Sequence, residues 1–120
     1  MKQEDKELLL KDLCARLPYG VIIQVKDWTV LDAELKIGHI NRLQINDIEL
    51  KPYLFPMSSM TEEQKMFLKQ QNWYIAISTS GTVETTIEGI DWLNKNHFDY
   101  RGLIPMGLAI PVTKENNPYK

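Results

Sequence analysis

The chain has little cysteine and no long apolar run. Cys14 is the single cysteine among 120 residues, so no disulfide can form within the chain. No segment approaches the about 18 continuous apolar residues of a transmembrane helix. The first twenty residues carry charges on both sides of a three-leucine run, unlike a signal peptide. We therefore expect a cytoplasmic protein with no membrane association.

Basic and acidic residues are also nearly balanced. The chain carries 14 basic and 16 acidic residues, with 8 and 9 in residues 1–60 and 6 and 7 in residues 61–120. A nucleic-acid-binding domain usually concentrates Lys and Arg in a patch or stripe. The composition therefore favours a protein as the partner and leaves nucleic acid as the alternative.

Sequence motifs of common enzyme classes are also missing. There is no GxxxxGK[ST] phosphate loop, no GxGxxG dinucleotide motif and no GxSxG nucleophile motif. The two histidines, His39 and His97, lie far apart along the chain, and with one cysteine they cannot form a zinc site from sulfur and nitrogen alone. We expect no cofactor, no metal and no enzymatic activity.

The length and the hydrophobic periodicity predict one α+β domain over residues 1–120. Residues 1–17 are predicted to form an N-terminal helix that ends before Pro18. Its apolar stripe comprises Leu10, Leu13, Cys14 and Leu17, and Leu9 widens it. Because Cys14 belongs to this stripe, we expect its thiol to be packed in the core.

Residues 20–50 are predicted to form a small antiparallel β-meander. Apolar and polar residues alternate in VIIQVK (21–26) and LDAELKI (31–37), and INRLQI (40–45) continues the pattern. Such a meander resembles a small, curled, SH3-like sheet. Residues 51–60 are predicted to be a Pro-rich loop, because proline interrupts both sheet and helix.

Residues 61–112 are predicted to contain helix, strand and helix, so that two or three helices pack on the sheet. A helix over about 61–71 begins at a capping box, formed by either Ser59 and Glu62 or Thr61 and Gln64. A strand over 73–79 follows, and STSGT (78–82) is interpreted as a hairpin turn. A last helix over about 86–96 presents an apolar side with Ile87, Ile90 and Leu93.

The stretch HFDYR, residues 97–101, has two interpretations. A small enzyme would use His97 as a proton carrier beside Asp99. In the structural interpretation, Asp99 caps a short turn over residues 100–104 and Phe98 enters the core. We favour the structural interpretation, because a catalytic site needs polar groups that converge in a pocket.

Three stretches also carry a resemblance to a known group: LPYG (17–20), KPYLFPMSSMTEEQ (51–64) and WLNKNHFDYRGLIPMGLA (92–109). With them, the chain resembles small proteins of prophages and mobile elements of gut anaerobic bacteria, a group with no known activity. The resemblance implies a small cytoplasmic accessory protein of phage origin. It transfers no catalytic or binding residue.

We interpret the chain as a non-enzymatic protein-interaction module. Aromatic and arginine side chains supply much of the binding energy in protein interfaces. The candidate interaction surface comprises Tyr53, Trp92, Tyr100 and Arg101. Trp28 and Trp73 lie in similarly polar stretches and are further candidates for anchoring a partner.

Overall fold

The computed structural model describes residues 2–78 and 83–120. Its helices are α1 (Gln3–Arg16), α2 (Ile37–Gln44), α3 (Glu62–Gln70) and α4 (Ile87–Lys95). Its strands are β1 (Ile22–Lys26), β2 (Val30–Glu34), β3 (Glu49–Leu54), β4 (Ile75–Ile77), β5 (Val83–Thr85) and β6 (Ile110–Pro111). None of the helices within these residues combines the length and the apolar character needed to cross a membrane.

The strands form two sheets. The larger has the order β2-β1-β3-β6, in which β3 and β6 are parallel and the other neighbours are antiparallel. The smaller is the antiparallel hairpin β4–β5. Apolar residues of α1, α2, β1, β3 and the segment 103–109 share one core. The structure confirms an α+β fold in which an N-terminal helix, a small sheet and later helices pack together.

The buried face of α1 is shifted by one residue from the predicted stripe. Its buried residues are Leu9, Asp12, Leu13 and Arg16, and Cys14 is exposed. The prediction of a packed Cys14 thiol was therefore wrong. Both stripes have helical spacing, so periodicity does not choose between them. In the structure Asp12 and Arg16 turn inward and bond Arg101 and the Phe98 carbonyl oxygen.

The segment predicted as a third strand of the meander is the helix α2. Ile40 and Leu43 are buried three residues apart, as on one helix face, and Ile45 beyond the helix is exposed. The Nδ1 atom of His39 accepts a hydrogen bond from the main-chain N–H of Lys36 and so closes the first turn. The helix lies between β2 and β3 in the chain, so the predicted meander is interrupted.

The first four residues of the predicted Pro-rich loop, 51–54, belong to the strand β3. β3 continues to Leu54 and contains Pro52 opposite Ile23 of β1. Leu35 N donates to Val21 O, so the main-chain groups of Val21 and of every second residue after it point to β2. The main-chain groups of the residues between them point to β3. Ile23, which lies opposite Pro52, uses its main-chain groups to bond β2. The nitrogen of Pro52 therefore points away from β1, and no hydrogen bond to β1 is lost because proline has no N–H.

The predicted start of α3 is confirmed, and one of the two candidate capping boxes forms. Gln64 N donates to Thr61 Oγ1 at 3.1 Å, and Thr61 N donates to Gln64 Oε1 at 2.9 Å. The predicted strand 73–79 is shorter, and it pairs with β5. Apart from Ser78, the predicted turn STSGT lies outside the described residues.

The position of α4 agrees with the prediction, but its buried side does not. Leu93 is buried, whereas Ile87 and Ile90 are exposed. Gly89 takes their place in the packing, because a Cβ atom there would overlap the hydroxyl of Thr85. Gly89 and Leu93 thus lie on the buried side of α4, and its two isoleucines are exposed.

Candidate functional site

A buried ion pair on α1 holds the C-terminal stretch that the sequence singled out. Asp12 and Arg16 lie one helical turn apart, and both side chains are fully buried. Arg16 Nε donates to Asp12 Oδ2 at 2.8 Å, and Arg16 Nη2 donates to the carbonyl oxygen of Phe98 at 2.6 Å. Arg101 Nε donates to Asp12 Oδ1 at 3.1 Å. Asp12 therefore binds two arginines from distant parts of the chain.

Tyr100 contacts both arginines. The guanidinium carbons of Arg16 and Arg101 lie 5.3 and 4.9 Å from the centroid of its ring, which is cation–π distance. Its hydroxyl donates to Asn94 Oδ1 at 2.9 Å and accepts a bond from Arg101 Nη2 at 3.0 Å. We name Asp12, Arg16, Asn94, Tyr100 and Arg101 the polar cluster. It joins α1 and α4 to the start of the C-terminal segment.

His97 and Asp99 have separate roles. Both carboxylate oxygens of Asp99 accept main-chain bonds, from Leu103 N and Ile104 N, each at 2.9 Å. The ring of His97 stacks on that of Tyr119, with the centroids 4.2 Å apart. Across the described residues, no hydrogen bond joins the His97 and Asp99 side chains. Asp99 caps main-chain amides as predicted, but the turn that it caps lies over residues 103–107 rather than 100–104. This geometry does not pair His97 and Asp99 as acid and base.

His97 lies just after the end of α4, in a backbone conformation that few residues adopt. Its φ is 63°, in the left-handed region. Its Nδ1 atom is buried and makes no hydrogen bond. Burial, helped by the nearby positive charge of Arg16, lowers the pKa of His97 from 6.5 to about 4. The folded protein therefore holds this imidazole neutral at neutral pH.

Stability is expected to fall as the pH is lowered from about 6.5 towards about 4. In this range the unfolded chain binds a proton at His97 that the folded chain resists, so protonation favours unfolding. The full shift would be worth about 3 kcal/mol, and partial exposure of the ring reduces the expected loss to about 1–2 kcal/mol. Urea unfolding between about pH 4.5 and about pH 7.5 measures it.

The variant His97→Asn isolates this contribution. Asn tolerates the left-handed backbone and carries no titrating ring, so most of the pH dependence in that range should disappear. The matched control is His39→Asn, whose histidine caps α2 and is less buried, and it should keep most of the pH dependence. Equal pH dependence in the wild type and in His97→Asn would contradict the role given to His97.

The other two predicted surface residues have separate partners. Tyr53 is 3% exposed, and its hydroxyl donates to Asp32 Oδ1 at 2.8 Å, which leaves little of the ring for a partner to contact. Burial raises the pKa of Tyr53. Trp92 stacks on Phe98 with centroids 5.6 Å apart and on Phe67 at 6.4 Å. The structure therefore brings Tyr100 and Arg101 into contact and places Tyr53 and Trp92 elsewhere.

Two adjoining apolar grooves lie beside the β4–β5 hairpin. The larger has a volume of about 440 Å³, and its apolar lining includes Met57, Met60, Leu68, Trp73, Ile75 and Ile77. The smaller, of about 240 Å³, shares Met57 and Ile77 with it and is also lined by Tyr100. We name the two together the hairpin groove. One residue of the predicted interaction surface, Tyr100, thus reaches this groove.

The hairpin itself is only partly packed. Tyr74 is 63% exposed and Ile77 is 55% exposed. A two-stranded hairpin needs support from other elements, because it is marginally stable alone. Sequence reasoning missed the groove, since the alternation in WYIAIS marks an apolar face but does not tell which element covers it.

The comparisons with known proteins assign no family. No family model, no curated protein and no solved structure matches the chain. Within residues 2–78 and 83–120, no three His, Cys, Asp or Glu side chains lie close enough together to hold a metal ion. The function must therefore be inferred from the surface of this chain alone.

Proposed function

We propose that the protein is a non-enzymatic protein-interaction module that binds its partner through the hairpin groove. The observation that carries this proposal is the position of Ile77, which is half exposed and lines both parts of the groove. Apolar grooves between elements commonly receive the apolar side chains of a partner segment. Exposed apolar surface of this kind is a common mark of a protein interface.

The polar residues of the stretch 97–101 support a structural role. The Asp99 carboxylate and the Arg101 guanidinium are occupied by bonds within the fold, and the His97 ring is stacked. The single cysteine is consistent with a reducing compartment, so the proposal places the protein in the cytoplasm. Its role as an accessory protein of a phage or mobile element rests on the sequence resemblance.

Capture from a lysate of the native host, with groove variants, tests the proposal. Ile77→Asp places a charge in the groove, whereas Ile87→Asp changes a residue that is 79% exposed and does not line it. Both sites are exposed, so both variants should fold, which circular dichroism checks. We expect the wild type and Ile87→Asp to recover the same protein, with or without nuclease, and Ile77→Asp to lose it by about tenfold or more.

Other outcomes of the capture overturn the proposal. A protein recovered equally by Ile77→Asp would show that the groove is not the site. Recovery of nothing above background would remove the interaction module itself. Loss of the recovered material on nuclease treatment would favour the nucleic-acid alternative.

One surface of the molecule favours nucleic-acid binding as the alternative function. A cleft of about 720 Å³ is lined by Lys6, Lys26 and Lys51 and by Trp28, which is 98% exposed. Lysines beside an exposed aromatic ring are typical of single-strand binding. The same cleft also contains the acidic residues Asp27, Asp47 and Glu49. Because these carboxylates repel phosphates, we rank nucleic acid second.

A further inference from the structure

The charged residues of the hairpin groove have one sign where a partner would approach. In the larger part, the charged lining residues are Lys65 and Lys69 of α3, and no acidic residue among those that the structure describes lines it. Both lysines are exposed. In the smaller part, the charged lining residue is Asp99, whose two carboxylate oxygens already accept main-chain bonds. The exposed charged residues that line the groove are therefore positive.

Lys65 and Lys69 keep most of their charge available to a partner. Lys65 Nζ lies 3.3 Å from Glu62 Oε1, in an ion pair with both side chains more than half exposed. Such exposed pairs contribute little stability and exchange readily for another carboxylate. The two lysines are four residues apart, so they lie one above the other on the same helix face. A partner segment crossing the groove would meet both.

The apolar lining suits side chains rather than a flat surface. Met57, Met60 and Leu68 line the larger part, together with Ile77 of the hairpin. Methionine side chains are flexible and adapt to partners of different shape. A segment with two or three apolar side chains can fill this volume while its polar side chains remain at the edge.

Resting on the function proposed above, we propose that the hairpin groove binds an acidic amphipathic segment of a partner protein. Apolar side chains of that segment enter the groove between α3 and β4. Its Asp or Glu side chains pair with Lys65 and Lys69. The charge complementarity favours this partner over a basic one, and it should raise the association rate at low salt.

Selection of peptides from a random library displayed on phage tests the proposal directly. The 120-residue chain is the target, and binders to Ile77→Asp are removed by counter-selection. We expect the selected sequences to be enriched in Asp and Glu beside Leu, Ile, Phe or Met. A selected peptide should bind about tenfold more tightly than the same peptide with Lys in place of its acidic residues.

A charge-reversed pair of variants supplies the decisive arm. Lys65→Glu with Lys69→Glu should change the selected sequences from acidic to basic and weaken the original peptide by about tenfold. The matched control changes two exposed lysines outside the groove, Lys11→Glu with Lys114→Glu, and alters net charge equally. It should leave the selected sequences acidic.

The result that overturns the acidic partner differs from the one that overturns the interaction module. Basic or uncharged selected sequences, sequences unaffected by the charge reversal, or no sequence that depends on Ile77 would each remove the acidic segment. If Ile77→Asp still loses the captured protein in such a case, the proposed function stands and only the partner's chemistry is wrong. If capture is also unaffected, both proposals fail.

Discussion

Asp12→Asn is expected to destabilise the protein by about 3–5 kcal/mol, the largest effect of any isosteric change in the polar cluster. The carboxylate accepts bonds from Arg16 Nε and Arg16 Nη2, and also from Arg101 Nε. Asn has nearly the same volume, so the change creates no cavity. It leaves the charge of Arg16 fully buried without its partner, and taking a charge out of water without a partner is strongly unfavourable.

Arg16→Met should have a smaller effect, about 2–3 kcal/mol, although it removes the other half of the same pair. Asp12 keeps Arg101 as a partner in this variant, and the methionine fills much of the arginine's space. Which of the two variants loses more stability is therefore informative. It follows from one carboxylate serving two arginines, and a simple isolated pair would make the two losses similar.

The double variant Asp12→Leu with Arg16→Met completes the test. It removes both buried charges, and the Arg101 side chain, which is 18% exposed, can turn to water. We expect it to be more stable than Asp12→Asn alone, since apolar replacements of a buried ion pair are often neutral. Urea unfolding with a common slope gives all three free energies. A loss under about 1 kcal/mol for Asp12→Asn would refute the role of the buried pair.

The elements that could be predicted are those fixed by neighbours in the sequence. The start of α3 depends on Thr61 and Gln64, which lie three residues apart, and this spacing correctly predicts the start of the helix. The capping role of Asp99 likewise depends on residues four and five positions away. These interactions join residues at most five positions apart, so their patterns are visible before the fold is known.

The elements that could not be predicted depend on distant contacts. Asp12 and Arg16 have the spacing of an exposed surface pair on a helix, whereas in the fold they are buried and bond Phe98 and Arg101 from the far end of the chain. One signal was present, because Asp12 and Arg16 share the helix face of Leu9 and Leu13. The competing stripe through Cys14 is equally regular, so periodicity alone cannot choose between the two.

The candidate site shows the same division. The sequence indicated aromatic and arginine side chains, and Tyr100 lies at the edge of the hairpin groove. The groove itself is formed by α3, the hairpin and the segment around Met57, which meet only in three dimensions. Tyr53 was a reasonable candidate from its polar neighbours, yet the sheet and Asp32 enclose it. Exposure of a single aromatic residue is a tertiary property.

The last residues of the chain, 113–120, have no role in the sequence pattern, yet we expect them to contribute strongly to stability through Tyr119. The antiparallel register places Ile22 of β1 opposite Tyr53 of β3 at the next position after the paired residues. Ile22 N donates instead to the Tyr119 hydroxyl at 3.1 Å, and that hydroxyl donates to Tyr53 O at 2.7 Å. Its oxygen thus replaces a direct bond between the two strands, and burial raises the pKa of Tyr119 to about 12.

Tyr119→Phe should therefore destabilise the protein by about 2 kcal/mol, because it leaves a main-chain donor and a main-chain acceptor unpaired. Tyr119→Ala also removes the ring, which stacks on His97 and whose centroid lies 5.9 Å from that of the Phe55 ring. This variant should therefore lose about 3–5 kcal/mol of unfolding free energy. Tyr74→Phe, at an exposed tyrosine, is the matched control and should change stability by less than about 0.5 kcal/mol. Hydrogen exchange gives a local check, since the Ile22 amide should exchange faster in Tyr119→Phe while amides of α3 do not change. An unchanged Ile22 amide together with wild-type stability would mean that the tyrosine hydroxyl does not join the two strands.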